Sequence, residues 1–185
     1  GDVSEFMKII KQRFSIWFNK AHDRVGTLWE ERFKSCLVEE GRALAIVAAY
    51  IDMNPVRAGI VEDPKHYRFS GYGEANAGSQ RARKGIIRIM NRPGTKPVEH
   101  WGQVAVRYDI HLYIEGRGMG GSMSLEALKR ALKDKELLNI PMTLHYRVRY
   151  MTDAVAIGSE GYVEAVYREN RDAFGSKRKT GARPI

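Results

Sequence analysis

The stretch Tyr50-Ile51-Asp52-Met53-Asn54-Pro55-Val56-Arg57-Ala58-Gly59 places a phenol and a carboxamide four residues apart, just ahead of a proline. An α-helix turns once in about 3.6 residues, so side chains at i and i+4 share one face, one turn apart. Residues 40–54 are Ala-rich and apolar at Leu44, Ala45, Val47, Ala48 and Ile51, which predicts a buried helix carrying Tyr50 toward its end. Pro55 has no N–H and restricts its predecessor, so this helix is expected to stop near Asn54. Tyr50 and Asn54 would then stand at an exposed helix end, which suits a nucleophile beside a metal ligand. The same spacing also fits an ordinary amphipathic tyrosine.

Composition sets the frame around this helix. A chain of 185 residues with 43% hydrophobic content can hold one good core or two small domains. Thirty-one Lys and Arg against 22 Asp and Glu give a net charge of +9, which favours a polyanion such as nucleic acid. Solvated lysines and arginines that serve only solubility give the same total. Their placement says more: residues 75–98 hold Arg81, Arg83, Lys84, Arg88, Arg92 and Lys96 without an acid, and the C-terminal stretch adds Lys177, Arg178, Lys179 and Arg183. The single cysteine, Cys36, can form neither an internal disulfide nor a Cys-based zinc site. No apolar run approaches the ~20 residues of a membrane span, and no signal-peptide pattern opens the chain. The expectation is a cytoplasmic protein without a membrane partner.

The remaining segments read as follows. Ser4 is a candidate N-cap for a first helix with Phe6, Ile9, Ile10, Phe14, Trp17 and Phe18 at helical spacing, a stripe that serves as core or as a docking face. Residues 27–39 contain Trp29, Phe33, Leu37 and Val38, which predicts a strand with Arg32 and Lys34 alternating on one face. Tyr67, Phe69 and Tyr72 follow a turn-rich segment and are expected to pack on the preceding helix rather than stack on bases. Residues 75–96 read as a basic connection, and residues 100–115 as a helix. The glycine-rich run 116–121 lacks the Lys-Ser/Thr ending of a phosphate-cradling loop, so a flexible loop is the expectation. Ser124 is placed to cap a helix that runs to Leu138, and Pro141 marks a break. Val155-Ala156-Ile157-Gly158-Ser159 followed by Tyr162, Val163 and Val166 reads as helix, tight turn, helix, with Ser159 as the second cap. That is the outline of a DNA-binding helix-turn-helix or of a plain helical hairpin, and the basic tail favours the former.

Three runs carry a resemblance: Gly26-Thr27-Leu28-Trp29-Glu30-Glu31-Arg32-Phe33-Lys34-Ser35, then Ala49 through Val61, then Tyr67-Arg68-Phe69-Ser70-Gly71-Tyr72. From Ser4 to Tyr72 the chain resembles the REP-associated tyrosine transposases, relatives of the insertion-sequence-200-like, single-tyrosine HUH transposases. The segments Val148-Arg149-Tyr150 through Pro184 resemble the C-terminal extension of one branch. The resemblance implies that Tyr50 is the nucleophile that attacks a phosphodiester of single-stranded DNA, leaving a 5′-phosphotyrosine and a free 3′-hydroxyl. It implies that Asn54 is one ligand of a divalent metal, Mg or Mn, whose other ligands are a His-hydrophobic-His pair. A phenol of pKa near ~10 is a weak nucleophile at neutral pH, which is why such chemistry uses a metal.

That pair is missing from this sequence. The histidines are His22, His66, His100, His111 and His145, and no two stand two residues apart. The chain is therefore expected to be a fragment lacking the first strands of the nuclease fold, to bind no metal by itself, and not to cleave DNA alone. Stripped of partner strands, it would expose a sheet edge and could form a homodimer.

The resulting expectation is an α+β chain. Residues 1–74 would be the tyrosine-bearing remainder of a ferredoxin-like HUH nuclease domain, 75–98 a basic linker, and 99–185 an all-α, helix-turn-helix-like extension with a basic tail. Its partner would be DNA, single-stranded or hairpin. Tyr50 would be catalytic and Asn54 a metal ligand. Arg32, Lys34, Arg57, Arg81, Arg83, Lys84, Lys177, Arg178, Lys179 and Arg183 would contact DNA. The competing expectation is a non-catalytic DNA-binding protein derived from a transposase.

Overall fold

The computed structural model describes residues 2–91, 97–115, 155–173, 176 and 179, and these form two compact units, Gly1–Ser35 and Cys36–Ile185. The described chain is mostly helical, with one small parallel sheet of two strands. No described helix is long and apolar enough to cross a membrane.

The first unit is built on α1 (Val3–Ala21). Its N-cap is Asp2, two residues earlier than Ser4, because the Asp2 carboxylate accepts from the N–H groups of Ser4 and Glu5 at 2.7 and 3.4 Å. The chain after α1 folds back so that the Trp29 indole N–H donates to Ser15 Oγ at 2.9 Å, and its ring meets Phe14 at 5.8 Å between centroids. No residue of α1 is buried, and Phe6, Ile16 and Trp17 are each about 60% exposed. The strand expected over 27–39 shrinks to β1 (Leu37–Val38), in the second unit. Thr27 instead turns back on itself, its hydroxyl bonding the backbone of Trp29, which competes with a ladder.

In the second unit β1 pairs in parallel with β2 (Ala156–Ile157), Leu37 opposite Ala156 and Val38 opposite Ile157. This corrects the helix-turn-helix expectation and the all-α expectation for that region: residues 156–157 form a strand, and the helix that follows, α6 (Glu160–Glu169), has that strand before it. Ser159 does cap α6, its Oγ accepting from Tyr162 N–H. Gly158 is needed for packing, since a Cβ there would lie 2.7 Å from Glu39 Cβ. The Glu39 carboxylate in turn accepts from the backbone N–H and hydroxyl of Ser159. The expected helix at 124–138, the break at Pro141 and the glycine-rich loop lie outside the described residues.

The core forms where α2 (Arg42–Arg57), α3 (Gly71–Asn76), α4 (Gln80–Met90) and α5 (Trp101–Glu115) meet. Ala49, Met53, Tyr72, Ala75, Ile86 and Leu112 are buried together there. Residues 80–90 therefore differ from the expected linker: Ile86 and Met90 recur at one-turn spacing and anchor α4 in the core. Asn91 closes the connection that follows, its side chain exchanging two 2.9 Å hydrogen bonds with the backbone of Val98. α2 passes Pro55 and ends at Arg57, so the expected stop at Asn54 also fails. The proline sits in the last turn. The carbonyl deprived of its N–H is that of Ile51, whose side chain is 55% exposed, while the Pro55 ring is buried.

Asp52 joins three of these helices. It is 5% exposed, and its two oxygens accept from the Tyr72 N–H at 3.3 Å and the Tyr108 hydroxyl at 2.7 Å. The Tyr72 hydroxyl donates to Asp109 at 2.7 Å, and Lys65 from the 3₁₀ turn Pro64–His66 pairs with the other Asp109 oxygen. Below this level, His111 Nε2–H donates to Ala45 O at 2.8 Å, tying α5 to α2 a second time. α3 approaches so closely that a Cβ on Gly73 would lie 1.9 Å from Tyr67 O.

Asp52→Ala strands a buried hydroxyl and a buried N–H, so urea unfolding should show a loss of about 3 kcal/mol. Asn54→Ala, two residues on and exposed, should change stability by less than ~0.5 kcal/mol.

Candidate nucleic-acid face on α2

A helix with one buried stripe has an opposite stripe that faces water. On α2 the inward stripe is Ala45, Ala49, Asp52 and Met53, which leaves Tyr50, Asn54 and Arg57 at i, i+4 and i+7 on another. Tyr50 and Arg57 are half-buried and Asn54 is exposed. The Arg57 guanidinium reaches back along the helix and lies 4.6 Å from the centroid of the Tyr50 ring. A cation over an aromatic face at a partly exposed site contributes ~0.5–1 kcal/mol, enough to bias the arginine rotamer. The face therefore offers a phenol, a neutral amide and a cation within two helical turns. It can hold a phosphate diester by charge and hydrogen bonds, with the phenol alongside.

It does not fit a metal. Asn54 supplies one neutral oxygen, whereas Mg or Mn takes about six hard ligands, and among the described residues no three His, Cys, Asp or Glu side chains come together. Asp52, nearest in sequence, points inward and is already engaged by Tyr72 and Tyr108. His111 is buried against Ala45 O.

The other expected DNA contacts separate. Arg32 and Lys34 belong to the first unit and are exposed on irregular chain rather than on a strand face, Lys34 lying 3.8 Å from Glu31. Arg81 and Lys84 project from α4 into solvent. Arg83 does not: its Nε–H donates to Ala75 O at 2.9 Å and its guanidinium sits 5.4 Å from the Trp101 ring, so it is a packing residue. Lys179 is exposed, and Lys177, Arg178 and Arg183 lie outside the described residues.

Sequence reasoning passed over the tyrosine and aspartate pair behind the face. Burial, then the nearby Asp109 carboxylate, pushes the Tyr72 phenol far above its ordinary value, and burial with Asp52 does the same to Tyr108. The available signal was an Asp inside an otherwise apolar helix stripe. No family model matches the chain, and no curated protein or solved structure is significantly similar to it.

The raised phenols fix the sign of the alkaline response. Their protons are held in the folded state and released in the unfolded one near pH ~10, so stability is complete below that pH and falls as it rises further. Each tyrosine contributes up to ~1.4 kcal/mol per pH unit of loss above it. Absorbance titration should leave Tyr72 and Tyr108 silent until the chain unfolds.

Proposed function

We propose that this chain is a DNA-binding protein of the tyrosine-transposase type, whose α2 face receives a phosphodiester of single-stranded or hairpin DNA. The observation that carries the reading is the grouping of Tyr50, Asn54 and Arg57 on one stripe, with the arginine resting over the phenol. Arg57 holds the phosphate as a fork of donors. The phenol oxygen then stands beside phosphorus. In a cleavage-competent assembly the Tyr50 oxygen–phosphorus bond forms as the bond from phosphorus to the 3′-oxygen breaks. The phenol loses its proton, the 3′-oxygen gains one, and the product is a 5′-phosphotyrosine. The HUH-type nuclease fold and its Mg or Mn ion belong to this reading. The His-hydrophobic-His ligands would have to come from outside this sequence.

Because the described residues lack those ligands, a second reading stands beside it, in which the chain binds DNA without cleaving it. Both predict binding, and neither predicts cleavage by this chain alone. In manganese the purified chain should bind a hairpin with a single-stranded tail and form no covalent adduct. Arg57→Ala should weaken that binding roughly fivefold and lower its salt slope by about one, while Tyr50→Phe stays within about twofold. Unchanged affinity in Arg57→Ala contradicts the α2 face. An adduct or nick that survives in Tyr50→Phe removes Tyr50 as the nucleophile.

A further inference from the structure

α4 presents a second basic surface, distinct from the α2 face. Arg81, Lys84 and Arg88 fall at i, i+3 and i+7, all three are exposed, and α4 contains no acid. Seven residues of helix rise ~10.5 Å, so the three cations lie along about two turns of one helix face, a row of charge that suits the phosphates of one strand. Arg88 also reaches Glu40 at 3.4 Å, but both side chains are more than 80% exposed and the pair is screened.

The residue in the middle of this stripe is Gly85. It is exposed, in the interior of the helix, and a Cβ there would meet nothing within 4 Å. Its φ is not positive, so neither packing nor backbone conformation calls for glycine. The other helical glycines open to space, Gly102 and Gly161, stand in first turns, where the cost is smaller. A mid-helix glycine lowers helix stability relative to alanine, and its use is to let another backbone approach.

We propose that the exposed face of α4 is a docking surface for the sugar–phosphate backbone of DNA, which crosses over Gly85 between Arg81, Lys84 and Arg88. Arg83 takes no part, being turned onto Trp101. The contact reads charge and spacing, not base sequence. It deepens the DNA-binding reading above and does not depend on Tyr50.

The test uses the full chain and a fluorescein-labelled single-stranded DNA of about twenty nucleotides, titrated at 50 and 200 mM salt. Arg81→Gln/Lys84→Gln/Arg88→Gln should bind about tenfold more weakly at low salt, with a log–log salt slope reduced by about two. Gly85→Leu should weaken binding severalfold with no fall in Tm, and Gly85→Ala should raise Tm by a few degrees. Unchanged affinity in the triple variant or in Gly85→Leu overturns the proposal. So does binding to phosphatidylserine vesicles without binding to DNA. Loss in these variants with none in Arg57→Ala would sustain the α4 surface and refute the α2 face.

Discussion

Asp52 is a carboxylate almost sealed from water, and helices α2, α3 and α5 meet on its two oxygens. A buried carboxylate is tolerated only when its acceptors are filled, so the contact fixes the rotation of α2 about its axis as well as its position. That rotation decides which residues of the segment 50–57 look inward. With Asp52 and Met53 held in the core, Tyr50, Asn54 and Arg57 are left at the surface. The Tyr72 and Tyr108 rings, edge to face at 5.2 Å, stack the same network against α3 and α5. Asp109 and Lys65 extend it to the turn that precedes α3.

The helical periods of α1, α2 and α5 were legible because each has a long run of spaced apolar residues. Tyr72 in the core was legible too. The Ser159 cap was legible because capping is a local contest decided by one side chain and nearby N–H groups. Three features depend on partners distant in sequence. The strand at 156–157 exists because Leu37–Val38 lies beside it, and nothing within 155–159 records that. α4 looks like a linker because Arg and Lys dilute its two core anchors, Ile86 and Met90. The helix continues past Pro55 because the lost hydrogen bond falls on an exposed turn while the ring packs inward, a balance set by tertiary context. At the candidate face the Tyr50–Asn54 spacing was readable, whereas the stacking of Arg57 depends on a rotamer.

In the proposed reading the α2 and α4 faces would divide the work. The α2 face combines a cation with a phenol and an amide, which would give it a place for chemistry. The α4 face holds cations around a glycine and nothing nucleophilic, which would suit it to holding a strand. Non-specific phosphate contacts of that kind would supply affinity and steer association, with sequence read elsewhere. The two surfaces belong to the same packed unit.

The most direct measurement is photo-crosslinking of the full chain to single-stranded DNA substituted with 5-bromouracil, with the crosslinked tryptic peptides identified by mass spectrometry. The account predicts a crosslink to the peptide from Ala43 to Arg57, at Tyr50, competed away by unlabelled DNA and lost as salt rises. Crosslinks confined to Gly1–Ser35, with Tyr50 untouched, would contradict it.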